Sequence, residues 1–470
     1  MIAPGTRVHF VGIGGSGMSA IASILLARGY PVSGSDLRET DLTRRLRAAG
    51  AQIQIGHAAE HVACAQAVVI SRAVPDENVE LRAALARALP IMHRAQMLAA
   101  LMEGTRGIAV AGTHGKTTTT SMIAVLLGAA GRDPTVLIGG EVEDFGGNAR
   151  AGLGPELVAE VDESDGSLLW VAPQVAVLTS VDATDHLDFY GSETRVTETF
   201  GRFLDGLPRD GFAVICADAP LGRSLARSAR PRTVGYGLEA GAAYTARILE
   251  MAGRRTVFEA RRGRALLGTV ALAVPGRYNV QNALGAIATA IELDVPFPVT
   301  AAALGGFRGV QRRFTVRGEV SGVLVVDDYA HNPTKVAALL DGARQCWPDA
   351  RIVAVFQPHR YTRTRTVGEQ FGGAFGPADE VIVTDIYGAD EEPIPGVDAG
   401  IVTRAIGRRR PVRFVADAAR VAAILEDEVR PGDIVLTIGA GDIWKVADEL
   451  VARLRRRAQD RPRAREGAGG

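Results

Sequence analysis

Short apolar runs recur along the chain, each closed by glycine or polar residues and followed by a stretch with helical spacing. Val8–Ile13, Pro31–Ser35 and Val68–Ser71 are strand-like, and Met18–Arg28 is the first helical stretch. This alternation predicts a parallel sheet with helices on its faces. Gly104-Thr105-Arg106-Gly107 reads as a linker. A second unit then opens on Ile108–Ala111, with a helix over Thr117–Ala129 and buried strands at Leu157–Val161, Val175–Thr179 and Val214–Cys216. Residues 240–275 alternate short apolar and polar runs, which predicts antiparallel strands on a sheet edge, and Asn279–Leu293 is Ala-rich and helical. A third unit starts near Arg313, with strands at Val323–Val326, Ile352–Phe356, Val381–Thr384 and Ile434–Ile438. At ~100–200 residues per domain, the 470 residues divide into three α/β domains, read as 1–104, 105–312 and 313–470. Arg453 to Gly470, rich in Arg, Ala and Gly, reads as a frayed, solvated tail.

Composition narrows the classes. Acidic and basic residues cancel at 53 each, which gives no overall field for a nucleic acid or a membrane surface. No apolar stretch approaches the ~20 residues of a membrane span, and the first strand begins without the charged-then-apolar layout of a signal peptide. Cys64, Cys216 and Cys346 are far apart, in no metal-ligand spacing, and fit a reduced compartment. The expectation is a cytoplasmic enzyme without membrane insertion, a monomer or weak homo-oligomer. Arginine supplies the basic side chains almost throughout. Only Lys116, Lys335 and Lys445 break the pattern, which marks them as places where a compact ammonium is wanted.

Lys116 stands in the sharpest motif. The strand Ile108–Ala111 leads into Gly112-Thr113-His114-Gly115-Lys116-Thr117, and Thr118 continues into the helix. Glycines let backbone N–H groups turn inward as a nest, and the helix N-terminus favours negative charge. Lysine reaches terminal phosphates and the Thr117 hydroxyl suits Mg²⁺. Val110 stands where the general phosphate-loop pattern has its first glycine, so the loop is a variant. A second glycine loop, Gly12-Ile13-Gly14-Gly15-Ser16-Gly17, also joins a strand to a helix, with Asp36 further on. Alone it suits a diphosphate at a helix N-terminus, or is only a tight turn. Acids gather past two strands of the second unit: Glu160-Val161-Asp162-Glu163-Ser164-Asp165, and Asp182 with Asp185-His186-Leu187-Asp188. Residues past strand C-termini share one crevice in a parallel sheet, so Glu163 and His186 are candidate Mg²⁺ ligands, with helix capping as the alternative for some of the others. In the third unit Asp327–Thr334, Gln357–Thr364, Asp385–Tyr387 and Gly439–Asp442 follow four buried strands and describe one functional edge.

Together these residues resemble the Mur ligases, over His9 to Lys445. The resemblance is carried by His9–Met18, Ser71-Arg72-Ala73-Val74, His93-Arg94-Ala95, the loop from Ala111 to Thr120, Asn279-Val280-Gln281-Asn282-Ala283, Gly309–Phe314, Asp328–Thr334, Phe356–Arg363 and Asp385–Gly396. It implies a Rossmann-like N-terminal domain, a P-loop central domain and a Rossmann-like C-terminal domain. The first would hold a UDP-sugar, through Gly14, Gly15, Ser16, Gly17, Asp36, Ser71 and Arg94. The second would hold ATP, through Gly112, Thr113, His114, Gly115, Lys116, Thr117, Thr118, Asn279 and Asn282, with Mg²⁺ on Thr117, Glu163 and His186. The third would receive the amino acid near His359, Arg360 and Tyr387, and Arg313 would assist near the phosphates. The implied reaction phosphorylates the lactyl carboxylate of UDP-N-acetylmuramate and lets L-alanine attack the acyl phosphate, in peptidoglycan precursor synthesis. His331 or Asp328 would accept the amine's proton. Three departures stand out: the segment Ser180–His186 lacks the family's asparagine and is one residue longer, Tyr278 replaces a frequent histidine, and no lysine stands between Lys116 and Lys335 to be carbamylated. Three other readings remain at this point: a relative that attaches a recycled tripeptide to the same sugar, an NAD-dependent oxidoreductase using the first glycine loop, and a catalytically dead nucleotide-binding regulator.

Overall fold

The computed structural model describes residues 3–183, 187–239, 241–389 and 391–460. It forms two compact units. The first comprises Met1–Leu249, Val257–Ala273 and Asn279–Arg308, and the second Glu250–Thr256, Val274–Tyr278 and Gly309–Gly470.

The first sheet contains β1 (Val8–Val11), β2 (Val32–Asp36), β3 (Gln52–Ile55), β4 (Ala67–Ile70) and β5 (Ile91–His93). Its order is β3-β2-β1-β4-β5, with every neighbouring pair parallel. The chain switches direction across the sheet at β1, and the first glycine loop leaves β1 at that switch, where doubly wound sheets place ligands. The second sheet holds β6 (Arg106–Ala111), β7 (Thr135–Val142), β8 (Gly147–Arg150), β9 (Glu156–Glu160), β10 (Val175–Leu178), β11 (Phe212–Cys216), β12 (Arg232–Gly237), β13 (Tyr244–Ala252), β14 (Arg255–Arg262) and β15 (Ala265–Leu272). It is ten-stranded, in the order β15-β14-β13-β12-β11-β10-β6-β9-β7-β8. β6 lies between β9 and β10, parallel to both, so its loop opens between two strand ends. The six-stranded third sheet runs β16 (Thr315–Val320), β17 (Val323–Asp328), β21 (Ile434–Ile438), β18 (Ile352–Phe356), β19 (Glu380–Val383) and β20 (Val412–Phe414). β17, β21, β18 and β19 are parallel neighbours, and β16 is antiparallel to β17.

The central strands are buried throughout. Ile-Val-Ala-Val-Phe of β18 and Ile-Val-Leu-Thr-Ile of β21 are covered on both faces, hence their near-continuous apolar runs. The edges read differently. β3 is Gln-Ile-Gln-Ile with only Ile53 buried, and such a polar edge strand escapes a search for apolar runs.

Two expectations are corrected. The predicted linker at 104–107 is half strand: β6 begins at Arg106, whose N–H donates to Pro155 at 2.7 Å, and Gly107 lies against Met102. The predicted tail from Arg453 is helical as far as it is described, because Trp444–Asp460 is one helix. Leu450, Val451 and Leu454 face the core, and Arg453 pairs with Glu426 at 3.1 Å and Glu449 at 2.8 Å. Apolar residues at helical spacing outweigh the arginine-rich composition there.

One polar knot ties the first sheet to its covering elements. Glu80, fully buried in the helix Val79–Ala86, meets His9 at 3.4 Å, His57 at 3.4 Å and His61 at 2.6 Å, and accepts from the Ser35 hydroxyl at 2.5 Å. Burial alone raises a carboxyl's pKa, but the bonds from His9, Ser35 and His61 prevail and hold Glu80 at about 2. The depressed value means that this carboxylate's contribution is present above the ordinary glutamate range and is lost as pH falls toward 2. Glu80→Ala leaves three imidazoles without their common partner and is expected to cost about 3 kcal/mol. Urea unfolding at pH 7 checks this, and the deficit shrinks as pH falls from 4.5 to 2.

Candidate functional site

Strand β6 delivers its loop directly to the N-terminus of the helix Lys116–Ala129. Gly112 and Gly115 have φ of 122° and 85°, a region that L side chains avoid. A Cβ on Gly112 would lie 2.5 Å from the Ser180 carbonyl, and one on Gly115 would lie 2.3 Å from Asn282 Oδ1. The loop is pinned from the end of β10. Thr113 N donates to the Ser180 carbonyl at 2.7 Å, His114 N to the Ser180 hydroxyl at 2.9 Å, and the Thr179 hydroxyl to the His114 carbonyl at 2.5 Å. Thr118 stands in the helix's first turn. Asn282 takes the Thr119 hydroxyl at 3.4 Å and donates to Asn279 at 3.3 Å, so both predicted asparagines lie beside the loop.

The Lys116 ammonium donates to the Gly112 carbonyl at 2.5 Å and to Glu163 Oε1 at 2.7 Å. Burial works against this charge, but the carboxylates of Glu163 and Glu160 outweigh it and raise the ammonium's pKa. Lys116 therefore stays charged, held by an acid that an anionic ligand can replace. The Thr117 hydroxyl donates to Glu160 Oε2 at 2.9 Å, and Gly139 N donates to the same oxygen at 3.0 Å. The acid run is thus divided: Glu163 faces the lysine, whereas Glu160 faces the threonine. Sequence reasoning placed Glu163 with Thr117 and did not single out Glu160. Its signal was position, as the last residue of a buried strand next to β6. Hydroxyl and carboxylate oxygens are the hard donors that Mg²⁺ prefers, so Thr117 and Glu160 fit that ion. The predicted ligand His186 lies outside the described residues, among which no group of three or more acids, histidines or cysteines is arranged around a metal position.

The first glycine loop is held from inside. Gly14 N donates to Asp36 Oδ2 at 2.8 Å, so Asp36 clamps the turn, and a Cβ on Gly14 would meet that oxygen at 2.8 Å. Gly15 is the N-cap of the helix Ser16–Ala27, and the Ser16 carbonyl accepts from Asn148 at 2.8 Å. Arg94 opens the helix Arg94–Met102 with its guanidinium 3.4 Å from where a Gly17 Cβ would stand, and it pairs with Asp162 at 2.7 Å. Ser71 lies in the turn after β4, accepting from Val74 N at 3.1 Å, and its neighbour Arg72 covers the Phe189 ring at 4.4 Å. The two glycine loops of this unit are therefore joined through Arg94 and the acid run 160–165.

In the second unit the predicted residues also cluster at strand ends. Both oxygens of Asp328 are engaged: Oδ2 accepts from Phe314 N and Oδ1 from Ala330 N, each at 2.8 Å. Burial raises the pKa of this carboxyl despite Arg313 nearby. It clasps the turn from Arg312 to Phe314, whose φ values of 60° and 49° need such a clasp. Arg313 lies over the Tyr329 ring at 5.3 Å. The His331 Nδ1 faces the Tyr329 carbonyl at 2.8 Å; a carbonyl only accepts, so Nδ1 carries the proton and Nε2 is the free base. Burial, then Arg363 and Lys335, hold His331 well below the usual imidazole range. His359 stacks on Tyr387 at 5.8 Å and accepts from Arg363 at 3.0 Å; burial, Arg363 and Arg360 bring it to about 4. Arg360, at φ 70°, donates its N–H to the Tyr387 carbonyl at 2.8 Å and pairs with Glu391 at 2.9 Å. Asn332 is a helix cap, accepting from Lys335 N at 2.8 Å.

A strand–glycine loop–helix with a buried lysine, in a chain that forms three α/β sheets, defines a multidomain nucleotide-binding enzyme of the α/β class. Comparison with known proteins narrows this. The family models described as Mur ligase family, catalytic domain, Mur ligase middle domain, and Mur ligase, glutamate ligase domain match residues 7–106, 110–290 and 312–441. Relatives named UDP-N-acetylmuramate–L-alanine ligase include one from Geobacter sp. (strain M21), 48% identical over 96% of this chain and 98% of its own. Another, from Rubrobacter xylanophilus, is 50% identical over 95% of this chain and 100% of its own. The crystal structure of the UDP-N-acetylmuramate–alanine ligase of Thermotoga maritima is 31% identical, with a TM-score of 0.82 over 96% of this chain and 99% of that one. A murein peptide ligase from Psychrobacter arcticus shares the fold at 24% identity and a TM-score of 0.70, over 96% of this chain and 99% of that one. The chain belongs to the Mur ligase family.

The loop geometry yields a test. Gly115→Ala places a methyl against Asn282 and forces a non-glycine residue to positive φ, at a cost of about 1–2 kcal/mol. ATP affinity, read by displacement of a fluorescent nucleotide, is expected to fall about tenfold or more. The melting temperature is expected to change by only a few degrees.

Proposed function

We propose that this chain joins L-alanine to the lactyl carboxylate of UDP-N-acetylmuramate with cleavage of ATP to ADP and phosphate. This is a step of peptidoglycan precursor synthesis in the cytoplasm. The observation that carries the reading is the sealed loop around Lys116, a charged ammonium held by a replaceable acid. Near-full-length likeness to ligases of that name supplies the substrates.

The γ-phosphate of ATP takes the place of Glu163 at Lys116, and the backbone N–H groups of the loop from Gly112 to Thr117 receive the rest of the chain of phosphates. Mg²⁺, when bound beside Thr117 and Glu160, would neutralise charge on the transferring oxygens. The lactyl carboxylate attacks the γ-phosphorus, forming an acyl phosphate and releasing ADP. Lys116 stabilises the charge that builds during transfer. The alanine amine then attacks the acyl carbon, and phosphate leaves with the old bond's electron pair. The amine must lose a proton. His331 is the better acceptor of the two candidates, because its Nε2 is unprotonated while both oxygens of Asp328 are engaged by backbone N–H groups. The neutral rings of His359 and Tyr387, with Arg360, line the acceptor side, and Arg313 is assigned to the phosphates. No helix among the described residues is long and apolar enough to cross a membrane.

Two assays check this reading. Phosphate release is expected with ATP, UDP-N-acetylmuramate and L-alanine together, and to be much weaker with glycine, L-serine or a recycled tripeptide as acceptor. A preference for the tripeptide would favour the other ligase activity. His331→Ala is expected to lower kcat about a hundredfold or more. Because the folded imidazole titrates well below 6.5, the wild-type acid limb assigned to it lies below that pH, and His331→Ala removes it.

A further inference from the structure

Asp162 has no part in the chemistry above, yet it sits where the two glycine-loop sites meet. Its Oδ2 accepts from Arg94 at 2.7 Å, and its Oδ1 accepts from Ser164 N at 2.9 Å. The Arg94 guanidinium stands against Gly17 of the first loop, and its side chain retains 22% exposure. The partner carboxylate is 37% exposed, so the pair is reachable by solvent and by a ligand. Arg94 presents a planar fork that fits a carboxylate and a diphosphate in the same way, so the edge turned to Asp162 is not turned to a diphosphate. The acid next in sequence, Glu163, does the same thing to Lys116 at the ATP loop. Each cation meant for phosphate is thus held by an acid from one short segment.

We propose that Asp162 is a positioning residue that stands in for the diphosphate of the UDP-sugar. It sets the affinity for that diphosphate by competing for Arg94. The inference rests on the reading that the first loop takes the UDP-sugar. Binding requires Arg94 to leave Asp162, so the carboxylate weakens the complex and speeds its release. A purely structural aspartate would, when lost, weaken binding or leave it alone, whereas a competitor's loss strengthens it.

The test is a double-mutant cycle by calorimetry, with UDP-N-acetylmuramate and no nucleotide, on the wild type, Asp162→Asn, Arg94→Ala and the double variant. Asp162→Asn is expected to bind several-fold more tightly than wild type, and that gain is expected to vanish in the Arg94→Ala background. Asp162→Ala must show the same gain, and melting curves confirm that every variant is folded. Unchanged or weaker binding by both folded Asp162 variants overturns the proposal. So does an equal gain with and without Arg94, which would assign the effect to net charge. If the wild type binds no UDP-N-acetylmuramate, the reading of the first loop itself fails and the inference falls with it, an outcome distinct from the others.

Discussion

A buried ammonium cannot stand alone, and the central site is organised around that constraint. Lys116 is taken out of water by the loop that carries it, and the cost of desolvating its charge is offset by Glu163 and Glu160. The loop's backbone is locked to the end of β10 through Ser180 and Thr179. Gly112 and Gly115 admit no side chain. The site is preorganised for anionic oxygen, and the acids are the internal substitutes for it.

The same economy of charge extends outward. The segment from Glu160 to Asp165 leaves β9 between the two loops, so successive acids address different partners: Glu160 the Thr117 hydroxyl, Asp162 the Arg94 guanidinium, Glu163 the Lys116 ammonium. In the second unit the logic reverses. Burial among arginines keeps His331 and His359 neutral. In His331 the proton is fixed on Nδ1, which leaves Nε2 able to accept one.

Much of this was legible in the sequence, for physical reasons. Parallel strands covered on both faces announce themselves as apolar runs, and the glycine loops follow two of them, so the α/β class and both loops emerge from pattern alone. The edge strand Gln52–Ile55 does not, because only Ile53 of its four residues is buried. The helix Trp444–Asp460 was concealed by arginines, although Leu450, Val451 and Leu454 carried its period. Within the site, residue type was readable but direction was not. Glu160 and Glu163 look equivalent in a run of acids, and only the path of the chain after β9 shows which one meets Thr117. Likewise Asp328 looks like a free base in the sequence, and becomes a backbone clasp once the positive φ of Arg312 and Phe314 is seen.

Transfer of phosphate to the substrate's own carboxylate is the central step of the reaction. UDP-N-acetylmuramate labelled with ¹⁸O in the lactyl carboxylate, turned over with ATP and L-alanine, tests this directly by mass spectrometry of the released phosphate. The acyl-phosphate route predicts one ¹⁸O carried from the carboxylate into each phosphate released. Phosphate free of label, with peptide bond formation intact, would contradict it.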